Sequence, residues 1–345
     1  MDRIRWKVSD IVKETESTHS FVLQNETGVK INYQAGQFLT FIFNSISDGE
    51  IRRSYSFSST PGVDDRIAIT VKRITNGEIS RHLLSHIHIN DILVSIQPAG
   101  RFTVKTNLKN QRHFFFIAAG SGIVPIFSLI KKILHEEPLT RVFLIYQNHN
   151  ESEIIFKNQL EELRKKFRNQ FKWVNFLSKA AGNPHYPRKL NNFLLEEVVG
   201  DALDRQKETL FYLCGPPSFM RMAQFTLRWM GFHDEQIKIE NFTVERAVPL
   251  PLITDTSPKE ILIHYNKGTF KIKAAFPTSI LEAALNYNIQ LPYSCRAGRC
   301  SSCIAKCIQG KVIMSNNEIL TEKDLENGLV LTCVGYAQSN LELEF

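Results

Sequence analysis

Cysteine is scarce in this chain: six residues in 345. Cysteines this sparse do not make a disulfide scaffold, and a reducing, cytoplasmic setting is expected. Long apolar runs are absent too. None approaches the roughly 18 residues that span a bilayer, so no membrane span is expected. The start, Met1-Asp2-Arg3-Ile4-Arg5-Trp6, lacks the apolar core of a secretory signal. There is no internal repeat and no low-complexity segment. The net charge of +7 is not gathered into a basic tract, which argues against nucleic-acid binding. The excess reads as a solvated surface, or as attraction for a phosphorylated cofactor or an acidic protein partner. What remains is a chain long enough for two or three domains with cores of their own.

The few cysteines are concentrated. Cys295, Cys300 and Cys303 stand in one short run, and Cys333 follows after a predicted helix-and-strand segment. This C-x4-C-x2-C…C spacing grips a [2Fe–2S] cluster. Four thiolates must converge on two irons, so three come from a tight loop and one from a distant strand. Gly298 is expected to let that loop curl close to the inorganic sulfurs. Structural zinc is the competing reading, but zinc favours paired C-x2-C knuckles and only one such pair occurs. Cys307 is read as a buried thiol that is not a ligand.

Residues 1–106 read as short strands. Ser20–Leu23, Gly36–Ile42, Arg66–Val71 and Asp91–Ile96 alternate or run apolar between Gly, Pro, Asn and Asp, a pattern of strands and turns. So many short strands suggest an antiparallel β-barrel. A helix-like stretch, Ser80–His86, interrupts them. The run from Arg52 to Ser59 is a polar strand with alternating aromatics, or a flavin site: Arg53 for a phosphate, Tyr55 for a ring face, the Ser56 hydroxyl near N5. Gly77 to Ser80 is a glycine turn entering a helix, which suits a pyrophosphate.

The texture changes near residue 107. Phe114 to Ala119 is continuously apolar, as in a parallel strand buried on both faces. Gly120-Ser121-Gly122 follows, then Pro125 in the first turn of a helix with Ile126, Ile130, Ile133 and Leu134 on one face. Strand, Gly-rich turn and helix match a dinucleotide fingerprint with Pro125 in place of its third glycine. Further strands are predicted at Val142–Tyr146, Lys172–Leu177 and Leu210–Leu213, and a helix from Phe156 to Phe167. Cys214-Gly215-Pro216 ends the last of these strands; Cys214 is either a site residue or a buried structural thiol. The second strand ends in Gln147, Asn148, His149 and Asn150, with no acid to hold a ribose diol and repel a 2′-phosphate. Ser178, Lys179 and Arg188 could surround such a phosphate, so NADPH is expected over NADH. Residues 243–257, with Pro249 and Pro251, read as a linker. Residues 258–345 open with a hairpin around Asn266-Lys267-Gly268 and a capping box at Ser279-Ile280-Leu281-Glu282.

These motifs, in this order, resemble the ferredoxin–NADP reductase superfamily in its three-domain oxygenase-reductase form, similar to the reductase subunit of phenylacetyl-CoA epoxidases. The resemblance covers nearly the whole chain. It implies a multidomain protein: an antiparallel β-barrel FAD domain (1–106), an α/β parallel-sheet NAD(P) domain (107–242), and an α+β (β-grasp) plant-type ferredoxin domain (258–345). FMN replaces FAD in some similar reductases. The resemblance places Arg53, Tyr55, Ser56, Gly77 and Ser80 on the flavin, with Phe242 stacked on it. It places Gly120, Ser121 and Gly122 at the nucleotide pyrophosphate, and Cys214 and Glu240 beside the nicotinamide. Many NADPH-using relatives carry Ser-Arg where this chain has Ser178-Lys179; a lysine lacks arginine's bidentate fork. The implied activity is NAD(P)H-dependent electron transfer, through FAD and a [2Fe–2S] cluster, to a partner such as a di-iron oxygenase. The alternatives are a self-contained reductase of a quinone or oxygen, and a redox-sensing or electron-storage protein.

Overall fold

The structure is a computed structural model. It describes residues 3–45, 49–179, 189–204, 206–242 and 250–345. Arg188 and positions 243–249 of the expected linker lie outside the described residues. The chain divides into two compact units. The larger carries a barrel and a parallel sheet; the smaller carries the C-terminal domain.

The barrel contains β1 (Ile4–Thr15), β2 (Thr18–Asn25), β3 (Phe38–Ser45), β4 (Gly49–Ser56), β5 (Ile67–Lys72), α1 (Glu78–His86) and β6 (Ile92–Ser95). Its six strands run in the order β4-β3-β6-β1-β2-β5. The two ends are joined where Phe57, just past β4, bridges Ile69 of β5 and Ser58 N–H donates to the Ala68 carbonyl at 2.9 Å. The sheet therefore closes on itself, which removes its edges. Trp6, Phe21, Phe41, Phe57 and Leu83 fill the interior. Strand β1 does not stand out in the sequence. Ile4, Trp6 and Val8 alternate inward, but a bulge between Val8 and Asp10 shifts the period halfway along and blurs the pattern.

The parallel sheet is built from β7 (His113–Ala119), α2 (Ile123–Glu136), β8 (Arg141–Asn148), α3 (Lys157–Lys166), β9 (Phe171–Leu177), α4 (Asn192–Ala202), β10 (Thr209–Cys214), α5 (Pro217–Trp229) and β11 (Ile237–Glu240). The strand order is β11-β10-β7-β8-β9. Every residue of β7 is buried because both faces are covered. Phe114 and Phe116 pack with Ile126, Ile130 and Ile133 of α2; Phe115 and Ile117 pack with Leu195 of α4 and Leu227 of α5.

A polar seam ties barrel to sheet within this unit. Thr60 Oγ1 donates to the Ser128 carbonyl at 2.9 Å, Ser128 Oγ returns a bond to the Ser59 carbonyl at 2.7 Å, and Tyr212 donates to the Thr103 carbonyl at 2.9 Å. Lys131 pairs with Asp64. Burial pulls the Lys131 ammonium below its ordinary value while Asp64 opposes the shift.

The smaller unit holds β12 (Lys259–Tyr265), β13 (Gly268–Ala274), α6 (Ile280–Asn286), β14 (Ile304–Gln309), β15 (Val312–Met314), α7 (Glu322–Glu326), β16 (Leu329–Leu331), β17 (Gly335–Ala337) and β18 (Leu341–Glu344). The main sheet runs β13-β12-β18-β14-β16, with β15 and β17 paired separately. Its centre is the parallel pair of first and last strands, β12 and β18. Asn266 and Lys267 both take positive φ, 50° and 62°, as a two-residue hairpin turn matched to strand twist requires. Ser279 Oγ accepts from Glu282 N–H at 3.2 Å, starting α6 as its capping residue predicts.

Candidate functional site

In an open parallel sheet, ligands bind at the carboxyl ends of the strands, where the strand order reverses. Here that point lies between β7 and its two neighbours, β10 and β8. The Gly120–Gly122 turn leaves β7, and Cys214-Gly215 leaves β10 beside it. A Cβ on Gly122 would stand 2.0 Å from the Cys214 carbonyl oxygen. Glycine at 122 is therefore demanded first by the neighbouring loop, and only through it by any ligand. Tyr146 donates to the Gly120 carbonyl at 2.9 Å, bracing the turn from β8.

Cys214 and Glu240 are brought together. They are register partners in β10 and β11, and are 0% and 5% exposed. Burial first, and the Glu240 carboxylate second, push the Cys214 thiol well above its ordinary value. The sulfur is thereby held as a neutral thiol. Phe242, two residues on, is 42% exposed.

One residue from the barrel reaches this edge. Lys72 ends β5, and its Nζ lies 3.9 Å from where a Cβ on Gly120 would be. Glu153 holds it at 3.3 Å. Neither residue stands out in the sequence.

The ends of β8 and β9 meet as expected. Ser178 Oγ is 3.0 Å from His149 Nδ1, and Lys179 N–H donates to the His149 carbonyl at 2.8 Å. Ser178 is half-buried and Lys179 exposed. In the sequence His149 is notable only as a position lacking an acid. In the fold it joins this polar group beside Ser178 and Lys179.

In the barrel, Ser56 closes β4 and is 5% exposed. Tyr55 is half-buried, its ring 6.2 Å from that of Phe41. Arg53 is exposed, and its guanidinium donates to the Arg52 carbonyl at 2.8 Å. Gly77 is the residue preceding α1. The Ser80 hydroxyl accepts from Ile74 N–H at 3.1 Å and donates to the Gly77 carbonyl at 3.2 Å. It builds the turn, leaving the backbone of the first helical turn as the part that can face an anion.

The four cysteines converge in two pairs. Cys295 N–H points at Cys300 Sγ at 3.4 Å, and Cys303 Sγ lies 3.2 Å from Cys333 Sγ. The N–H groups of Ala297 and Arg299 both point at Cys295 Sγ at 3.4 Å. Cys295 is held down to about 2 by bonding from Cys300 and then Cys333, while Cys333 is pushed far up by Cys295 and Cys303. Four thiolates held this close repel one another and need a cationic centre. Two sulfurs per iron is the donor set of a [2Fe–2S] cluster. Among the described residues, no three His, Cys, Asp or Glu side chains form a single-ion site, so the fit rests on these two pairs. Gly298 has φ +73°, and a Cβ there would meet the Asn316 carbonyl at 2.9 Å. It faces a protein strap as well as allowing the loop to curl. Cys307 is half-buried and not the buried thiol expected. Its position in β14, at the register shift opposite β18, leaves the sulfur against the Gln309 carbonyl at 3.4 Å.

A closed barrel, a doubly wound sheet and a four-cysteine domain, in this order, define a three-domain oxidoreductase. Comparison with known proteins agrees. Residues 5–104 match the oxidoreductase FAD-binding domain, 116–224 the oxidoreductase NAD-binding domain, and 263–338 the 2Fe-2S iron-sulfur cluster binding domain. The chain is 31% identical over 339 residues to the ferredoxin reductase component of 3-ketosteroid-9-alpha-monooxygenase from Mycolicibacterium smegmatis, covering 95% of this chain and 92% of that one. It is 28% identical to one of the subunits of 1,2-phenylacetyl-CoA epoxidase from Escherichia coli, over 94% and 92% of the two chains. The fold is similar to that of phthalate dioxygenase reductase, with a TM-score of 0.61, 23% identity, and 99% and 98% of the two chains covered. The chain belongs to the family of three-domain ferredoxin reductase components. It is an oxidoreductase with FAD, NAD and 2Fe-2S domains. Among the described residues, no helix is long and apolar enough to cross a membrane.

Proposed function

We propose that this protein takes electrons from NADPH and delivers them singly to a partner oxygenase. When bound, the flavin turns a two-electron donor into a one-electron source, and the iron–sulfur cluster relays the single electrons. The observation that carries the reading is the pairing of the nucleotide edge with the four-cysteine cage in one chain. Gly120 to Gly122, with Lys72 beside them, receive the nucleotide pyrophosphate. Cys214 and Glu240, both buried, flank the nicotinamide. Arg53, Tyr55, Ser56, the Gly77–Ser80 turn and Phe242 hold the flavin. Cys295, Cys300, Cys303 and Cys333 hold the cluster. Domain limits at 106, 242 and 258 go with this division of labour. The partner class is an oxygenase component, which the names of the relatives support, and the setting is the cytoplasm.

The preference for NADPH rests on Ser178, His149 and Lys179. The hydroxyl and imidazole are donors at the strand ends, and the ammonium is a point charge that can neutralise a 2′-phosphate.

The test compares wild type with Cys300→Ser for NADPH-dependent reduction of ferricyanide and of a one-electron protein acceptor, cytochrome c. The variant is expected to keep flavin and ferricyanide reduction but lose most cytochrome c reduction. Equal rates with both acceptors in the two proteins would contradict the relay.

A further inference from the structure

The loop that carries three of the four cysteines is strapped down by a polar segment, residues 315–320. Asn316 Nδ2 donates to the Ala297 carbonyl at 2.8 Å. Glu318 N–H donates to the Gly298 carbonyl at 3.2 Å. Ser315 N–H donates to the carbonyl of Val334, the residue after Cys333, at 2.9 Å. The strap thus touches both halves of the ligand set. It is braced internally, since Asn317 Oδ1 accepts from Leu320 N–H at 2.8 Å and Asn317 Nδ2 donates to the Leu320 carbonyl at 2.9 Å.

The strap also brings a charge. Glu318 Oε1 accepts from Arg299 Nε at 2.8 Å, with the Arg299 side chain 12% and the Glu318 side chain 37% exposed. Arg299 is the residue before Cys300, and its own N–H points at Cys295 Sγ. A cation and an anion are therefore paired on residues whose backbones border the cysteine loop, the cation in the drier position. In a poorly solvated site fixed charges act strongly. One-electron reduction adds a negative charge to the cage. A nearby cation favours the reduced form and a nearby anion opposes it.

We infer that Arg299 and Glu318 form a charge pair that sets the reduction potential of the iron–sulfur site. The inference rests on the reading that the four cysteines hold a [2Fe–2S] cluster. Glu318 restrains the effect of Arg299 and fixes the guanidinium; Arg299 favours the reduced cage. Both act on the cage through the charge of their side chains, as positioning residues.

The experiment is potentiometric titration of the full-length protein, with dithionite as the electron donor and the cluster followed by its visible and electron paramagnetic resonance signals. Glu318→Gln keeps the hydrogen-bond acceptor and removes the charge; it should raise the potential. Arg299→Gln should lower it. Each shift should be roughly three- to tenfold in the reduction equilibrium, and tenfold is about 59 mV for one electron. The double variant should return near wild type, and Arg299→Lys should lie closer to wild type than Arg299→Gln. A strap that only shields the cluster would move both single variants the same way. Shifts of the same sign, or none, overturn the inference. If Arg299→Gln does not assemble, Glu318→Gln and Arg299→Lys still decide it: an unchanged potential in the first, or a lowered one in the second as large as the rise in the first, contradicts the charge pair. Iron and sulfide content of the wild type tests the underlying reading separately. Protein without a cluster fails that reading, whereas cluster-bearing variants with unshifted potentials fail only the inference.

Discussion

Lys72 and Glu153 form an ion pair 3.3 Å long that joins the last residue of a barrel strand to the loop beyond β8. The pair stands at the mouth of the Gly120 turn, and its two side chains are 25% and 31% exposed. A pair this wet contributes at most about 1 kcal/mol to stability. On the proposed function, its weight lies in holding a cation where the nucleotide pyrophosphate would arrive. Glu153→Gln should therefore leave the melting point nearly unchanged and lower KM for NADPH, because Lys72 loses its competing anion. Lys72→Gln should raise KM about tenfold or more, the worth of a charge-assisted phosphate contact of roughly 1.5–3 kcal/mol. Steady-state kinetics with both variants check this.

Gly122→Ala tests the close approach of the two strand-end loops. The new Cβ would land 2.0 Å from the Cys214 carbonyl oxygen, and backbone on both sides leaves little room to yield. Overpacking of this kind costs roughly 1–3 kcal/mol. Urea denaturation should show that loss, and nucleotide binding should weaken with it while the cluster stays intact.

Glu137 gives a pH-dependent prediction. Its side chain is fully buried and accepts bonds from Arg112, Thr140, Asn110 and the Asn107 N–H. Burial alone would raise its pKa, but the Arg112 bond and the other donors together outweigh it and hold the carboxyl below its ordinary value of 4.5. A carboxylate lowered in the folded state adds stability that is present in full above its unfolded value and lost as pH falls through the folded one. Glu137→Gln should cost roughly 1–3 kcal/mol at pH 7, since it leaves the half-buried Arg112 guanidinium without its carboxylate. The gap to wild type should narrow below about pH 4.5. Denaturation midpoints across that range check the sign.

Much of this is legible in the chain. The apolar run Phe114–Ala119 reads directly because a strand covered on both faces admits almost nothing polar. The cysteine spacing reads because two irons leave few ways to place four sulfurs. What is hidden has physical reasons. Lys72 and Glu153 are 81 residues apart and meet only because barrel and sheet pack together. His149 and Ser178 meet only through the pairing of β8 with β9. Asn316 and Glu318 lie in a polar loop whose composition resembles any surface turn, and their contacts with the Ala297 and Gly298 carbonyls and with Arg299 are ones that no periodicity reveals. Strand β1 is obscured by its bulge.

Nucleotide choice is tested at Lys179. Lys179→Ala should lower kcat/KM for NADPH by about ten- to a hundredfold and leave NADH nearly unchanged, as loss of one charged phosphate contact implies. Equal loss with both nucleotides, or a wild-type preference for NADH, would contradict the assignment.

The most direct test of electron delivery is anaerobic addition of NADPH to protein carrying both flavin and cluster, with the reduced cluster followed by electron paramagnetic resonance. The account predicts that the cluster signal appears in the flavin-loaded protein and not in protein stripped of flavin. Oxidation of NADPH with the flavin reduced and the cluster left oxidised would contradict it.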